Sequence, residues 1–271
     1  MKKILIPLAA VCVATTLILS CNKESKTEAT TNTEISQDVL SEIKALGFGT
    51  TSVQKHEDGY LVEGDIILTP EFLKSKVSGL LLSAANEEQY RTTNLVKALP
   101  RTITVALDSK LSGLSGYAAA LTEMVNRYNA LNLQLKFQVV TSGATITMVS
   151  GHGSYLASSG FPSSTGQPYG QVKVNAQAIG SGTSSTFINY LATIFAHETG
   201  HCIGFRHTDY MDRSFSCGGS PTNEGASTVG AILIPNTPSG PDKGSWMLAC
   251  IGSGQNRPFN TNDKTALNYL Y

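Results

Sequence analysis

The chain of 271 residues carries 20 Lys plus Arg against 20 Asp plus Glu, so its formal charge is zero. That balance excludes a nucleic-acid binder, which needs a basic surface to neutralise phosphates. Charged residues at 15% with abundant Gly, Ser and Thr fit an exported or surface protein, and exclude collagen, a polytopic membrane protein and a disulfide mini-protein.

The N-terminus reads as an address. Lys2 and Lys3 precede an apolar stretch from Ile4 to Leu19, the pattern of a secretory signal. It ends Ile18-Leu19-Ser20-Cys21, which resembles a bacterial lipobox, where Cys21 would be lipidated and become the first residue. An ordinary signal cut near this point is the alternative. The expected destination is export, to the outer membrane or cell surface, with the membrane touched only through the anchor. Residues 22–36, rich in Thr and Glu, read as a flexible tether. With Cys12 and Cys21 in this region, Cys202, Cys217 and Cys250 remain. Three thiols form at most one intramolecular disulfide; a bridge involving Cys250 is favoured, but the sequence does not choose among the three pairings.

Residues 37–99 lack the pattern of the chain from residue 100 onward. They contain Leu61-Val62-Glu63-Gly64-Asp65-Ile66-Ile67-Leu68, where Gly-Asp can turn the chain between two strands. Thr102–Leu107 is strand-like by β-branching. Tyr117–Leu131 is helical, with Ala118, Leu121, Val125, Tyr128 and Leu131 on one face. Leu133–Val140 and Ala144–Val149 read as strands, Gly160–Gly170 as a loop and Gln171–Ala176 as a further strand. His152 reads as a solvated loop residue rather than a rim contact.

The chemistry concentrates in His197-Glu198-Thr199-Gly200-His201-Cys202-Ile203-Gly204-Phe205-Arg206-His207, which reads H-E-x-x-H-x-x-G-x-x-H. Phe187, Ile188, Leu191, Ile194 and Phe195 recur at helical spacing, and Ser184 or Ser185 can cap the start. On that helix His197 and His201, four apart, project from one face toward one ion. Glu198 is placed to polarise a water rather than to ligate. Gly204 ends the helix with a positive φ, turning the chain so that His207 supplies a third ligand. Three neutral imidazoles with an open fourth position make a catalytic zinc site rather than a closed structural one. No Ser–His–Asp or cysteine nucleophile competes.

This extended motif resembles that of the metzincin metallopeptidases, which also carry a methionine-containing turn beneath the zinc. Gly244-Ser245-Trp246-Met247-Leu248-Ala249-Cys250 offers Met247 for it. Within the clan, His197 to Asp209, Ser216-Cys217-Gly218-Gly219 and Ile234-Pro235-Asn236-Thr237-Pro238 are most similar to the dual-action HEIGH, protease B-like bacterial metallopeptidases, with Thr199 where the family name has Ile. Astacins place a Tyr two residues after the Met, where this chain has Ala249. The resemblance implies an α+β metzincin-type catalytic domain over residues 100–271. It would comprise a twisted mixed sheet with the active-site helix, then a mostly irregular C-terminal subdomain with the Met-turn and a capped helix at Asn260–Tyr271. It further implies an exposed edge strand, placed here in Gly151–Phe161, that pairs with extended substrate.

The implied activity is zinc endopeptidase action on protein or peptide substrates. One zinc activates a water and polarises the scissile carbonyl, while Glu198 takes the proton and delivers it to the leaving amine. The string Glu63-Gly64-Asp65-Ile66 is similar to the astacin pro-segment motif whose Asp blocks the zinc, which would make residues 37–99 a pro-segment and Asp65 its switch; a turn is the alternative reading. A surface binding protein or adhesin on the same scaffold is a second possible function, and intact Glu198 speaks against it. An aminopeptidase or carboxypeptidase is the third, and it lacks an identifiable terminus-binding residue. Natural substrate, side-chain preference and oligomeric state have no readable code, including around Ile232 to Pro241.

Overall fold

The computed structural model describes residues 34–74, 89–224, 231–237 and 240–271. The signal at 1–21 with Cys21, the tether up to residue 33, and Pro238 lie outside these. The chain gives α1 (Gln37–Ala45), β1 (Gln54–His56), β2 (Gly59–Val62), β3 (Ile66–Leu68), α2 (Pro70–Leu73) and β4 (Tyr90–Arg91). It continues with β5 (Arg101–Leu107), α3 (Ser109–Ser112), α4 (Tyr117–Asn129), β6 (Leu135–Val139), β7 (Ile146–Ser150) and β8 (Ala157–Ser159). Then come β9 (Gln171–Val174), α5 (Ala176–Ile179), α6 (Ser185–Ile203), α7 (Ser214–Cys217), β10 (Ile232–Leu233) and α8 (Thr261–Leu270).

An eight-stranded mixed sheet runs β1-β2-β3-β8-β9-β7-β5-β6, and β4 pairs separately with β10. The centre is parallel, β9 to β7 to β5 to β6, and β8 alone lies antiparallel to β9. Ile103 and Val105 of β5 point into the core with Thr104 more exposed between them, and Ala106 is buried as well. Helix α4 buries Tyr117, Ala120, Leu121, Met124, Val125 and Tyr128, a stripe at helical spacing laid against α6. Helix α8 begins with a reciprocal cap, in which Asn260 accepts from the Asp263 amide and Asp263 from the Asn260 amide. The α+β class expected from the sequence is the class observed.

Two features depart from expectation. Helix α4 ends at Asn129 and β9 at Val174, because Ala176 already starts α5, with the Asn175 side chain accepting from Ala178 N. The expected edge strand is present as β8 but is not an edge here. On its far side β3 pairs with it in parallel, Ile66 opposite Ser159, so strands from the first 74 residues extend the sheet. His152 is exposed, as a solvated loop residue should be.

Three apolar clusters result among the described residues, the smallest made of Leu61, Ile67 and Tyr155. The main one gathers β5, β6, β7, β9, α4, α6 and α8 around Phe195, Trp246 and Tyr128. The second joins Ile43, Leu46, Phe48, Val62, Ile66, Leu68 and Leu73 with Phe161, its one member from beyond residue 74. Residues 89–99 side with the main body. Gln89 is buried and donates to Ser245 Oγ (3.2 Å) and Asp263 Oδ1 (2.8 Å), and Val96 sits in the main cluster.

Candidate metal centre

Helix α6 is capped by Ser184, whose side chain accepts from Phe187 N, and is buried continuously from Tyr190 to Ile203. His197 and His201 therefore emerge from a rigid element. Gly204 ends it at φ 113°, its N–H bonded back to Gly200 and His201 carbonyls. A Cβ at Gly204 would also lie 2.8 Å from Asn94 O, so glycine is required twice over. The chain then runs beside β4. Thr92 N donates to Gly204 O and Arg206 N to Tyr90 O, each at 2.8 Å, which delivers His207 to the other two rings.

Each imidazole uses Nδ1 on an acceptor: His197 on Trp246 O (2.9 Å), His201 on Phe205 O (2.8 Å) and His207 on Glu224 Oε2 (2.9 Å). With each Nδ1 donating to its acceptor, Nε2 is the nitrogen that each ring would offer to a metal ion in the shared space. His197 Nε2 and His201 Nε2 stand 3.1 Å apart, an arrangement of two lone pairs that a cation between them stabilises. Asp65 completes the group. Its Oδ2 lies 3.2 Å from His207 Nε2 and 3.5 Å from His197 Nε2, and its buried Oδ1 has no hydrogen-bond partner. The ligand atoms of Asp65, His197, His201 and His207 all lie within 4.8 Å of one another. Three imidazoles and one carboxylate, with an oxygen that has no hydrogen-bond partner, are the donor set of a nitrogen- and oxygen-liganded zinc.

Electrostatics without the ion point the same way. Burial depresses His207, but Asp65 and then Glu224 outweigh it and hold the ring well above its ordinary value. Burial, then the neighbouring imidazoles, push His201 well down. Burial raises Asp65, yet His207 and its companions bring it well below the usual carboxylate range. Positive charge is wanted at this point, and metal binding supplies it by displacing a proton.

Glu198 is 3% exposed. Burial, then Asp65, drive its carboxyl well above its ordinary value, against a hydrogen bond from Ser159. It takes no part in the ligand set. Beneath the site, Met247 packs so closely that a Cβ on Gly200 would come within 2.5 Å of its sulfur, and Met247 O accepts from Thr208 N at 3.0 Å. Both neighbours of His207 are thus pinned.

Beside His197 and Glu198 opens a cavity of about 240 Å³. Its far wall is Trp246 and Leu248 to Ile251 with Arg257, rather than the stretch from Ile232 to Pro241. A disulfide joins Cys250 of this wall to Cys217, and Cys202 is left buried and free. Three contacts went unread in the sequence. Glu224 orients His207 and is itself held by Arg213 Nη1 at 2.5 Å. Glu63 meets Arg206 Nη2 with both carboxylate oxygens at 2.5 Å, and Ser159 Oγ donates to Glu198. Only the Glu-Gly-Asp string carried a signal for any of them.

The family model of the dual-action HEIGH metallopeptidases matches residues 60–271. The chain belongs to that family. A solved structure, described as the structure of myroilysin, is similar at 16% identity and a TM-score of 0.41, over 67% of this chain and 96% of that one. No curated protein matches. As a HEIGH metallopeptidase, the protein uses zinc, and His197, His201 and His207 are the residues that would hold it.

Proposed function

We propose that this HEIGH metallopeptidase is an exported, lipid-anchored endopeptidase made in latent form, with Glu198 as general base and Asp65 as the blocking group. The observation that carries the reading is the Asp65 carboxylate, set where the three Nε2 atoms converge. Zinc bound there supplies Lewis acidity toward the scissile carbonyl and the attacking water. Glu198, adjacent to a ligand yet outside the ligand set, receives the proton of the water and passes it to the leaving nitrogen. Burial suits it to both roles, since a carboxylate of raised proton affinity is a stronger base.

Internal rather than terminal cleavage is supported by how the segment itself sits. Residues 59–68 pass the metal centre as continuous chain, pairing with β8 through Ser159 N to Asp65 O at 2.9 Å. A site that admits mid-chain polypeptide accommodates an internal peptide bond. Lys2, Lys3, the apolar stretch and Cys21 support the anchor; Cys21→Ser should move the protein from the membrane to the soluble fraction.

The test is cleavage of a diverse peptide mixture by the chain from residue 22, read by mass spectrometry. Glu198→Gln should abolish all cuts, and Asp65→Ala should raise the activity of unprocessed protein. Terminal trimming alone would remove the endopeptidase reading. An unchanged Asp65→Ala rate would remove the latency.

A further inference from the structure

One hydrogen bond to the general base comes from outside its own helix. Ser159, in β8, is fully buried, and its hydroxyl lies 2.7 Å from Glu198 Oε2 and 3.0 Å from Glu198 O. A hydroxyl has one proton to give, and the carboxylate oxygen at the shorter distance takes it. Glu198 Oε1 makes no hydrogen bond among the described residues, and Glu198 lines the cavity beside the metal centre.

We propose that Ser159 is the positioning residue of the general base. The inference rests on the reading of Glu198 as that base. The terminal torsion of a glutamate is broad and roughly two-fold, so burial alone does not fix the plane of its carboxylate. Holding Oε2 fixes that plane and assigns the proton transfer to Oε1. Ser159 is in turn held by the sheet, opposite Val172 of β9 on one side and Ile66 of β3 on the other. Its amide donates to Asp65 O while its hydroxyl donates to Glu198. The strand that receives extended polypeptide through its backbone therefore sets the base through a side chain. A peptide docked on β8 registers the base and the strand in one step.

The experiment uses the full exported chain carrying Asp65→Ala, the common parent against which every further variant is measured. Ser159→Ala, Ser159→Thr and Glu198→Gln are compared on the same peptide mixture for kcat, KM, bound zinc and Tm. Ser159→Ala should lower kcat by about 10- to 100-fold, with KM and zinc content unchanged. Ser159→Thr, which keeps a hydroxyl, should recover most of that loss. Ser159→Ala at the parent kcat would overturn the proposal, leaving the hydroxyl a partner for the helix carbonyl alone. A loss carried by KM, by zinc or by Tm, or a folded Ser159→Thr that recovers nothing, would overturn it too. Activity surviving in Glu198→Gln would instead overturn the general-base reading beneath it.

Discussion

The segment from 34 to 74 and the body from 89 to 271 share one sheet but not one core. The body is held by apolar burial, its helices and strands closing over a continuous cluster. The segment has small clusters of its own and borrows from the body Phe161, which packs on Phe48 and Phe72 at 5.8 Å and meets the edge of His201 at 5.6 Å, and Tyr155, which joins Leu61 and Ile67. What fastens it elsewhere is charge: Asp65 on the histidines, Glu63 on Arg206, and Glu57 with Asp58 on Lys173. Each of those acids belongs to the segment and each basic partner to the body. A part fixed by polar contacts can depart and leave its partners to water, whereas a part sharing the core cannot.

The largest effect should come from moving the start of the chain across this divide. A chain beginning at Gln89 keeps β4, which carries the third-ligand arm, and should melt cooperatively by circular dichroism. One beginning at residue 100 loses buried Tyr90 and Val96, about 2 kcal/mol of apolar burial each, and the Gln89 bonds to Ser245 and Asp263. That sum approaches the lower bound of about 5 kcal/mol for total stability, so the shorter chain should show no cooperative transition. Equal melting of both would mean that residues 89–99 belong with the segment.

Next in size is Arg206→Met, measured by denaturant unfolding in two contexts. In the full chain it leaves Glu63 buried without its cation and should cost about 3 to 5 kcal/mol. In the chain beginning at Gln89 there is no Glu63, and the loss should fall below about 1 kcal/mol. Equal losses would show that Arg206 serves the body rather than the attachment of the segment. Somewhat smaller, Cys217→Ser with Cys250→Ser opens a bridge across a separation of 33 residues and should cost about 3 kcal/mol in both contexts alike.

Legibility in the sequence depended on reach. His197, Glu198, His201, Gly204 and His207 lie within one helix and its terminating turn, where spacing alone fixes direction. Met247 was legible as an attachment to that motif. Asp65 was legible as a string with two readings, and the fold sets its carboxylate beside the three imidazoles. Glu224 was not, because it lies 17 residues past His207 in irregular chain, where no period assigns a direction. Ser159 sits in a strand of three residues, too short for alternation to show. Gln89 finds its partner across 156 residues, and no local pattern spans such a distance.

The smallest effect separates two ways of fastening the segment. The Lys173 side chain is 9% exposed, but Glu57 is 75% and Asp58 39% exposed, so both carboxylates regain solvent easily. Pairs of that kind contribute at most about 1 kcal/mol. Lys173→Ala should therefore weaken the full chain by that much or less, leave the chain beginning at Gln89 unchanged, and only modestly raise the susceptibility of the segment to added protease. A loss matching that of Arg206→Met would mean that the β1–β2 turn, far from the metal in the fold's connectivity, carries as much of the attachment as the buried pair. The segment would then be held along its whole length instead of at Glu63 and Asp65, and release would require the sheet extension to peel as a unit.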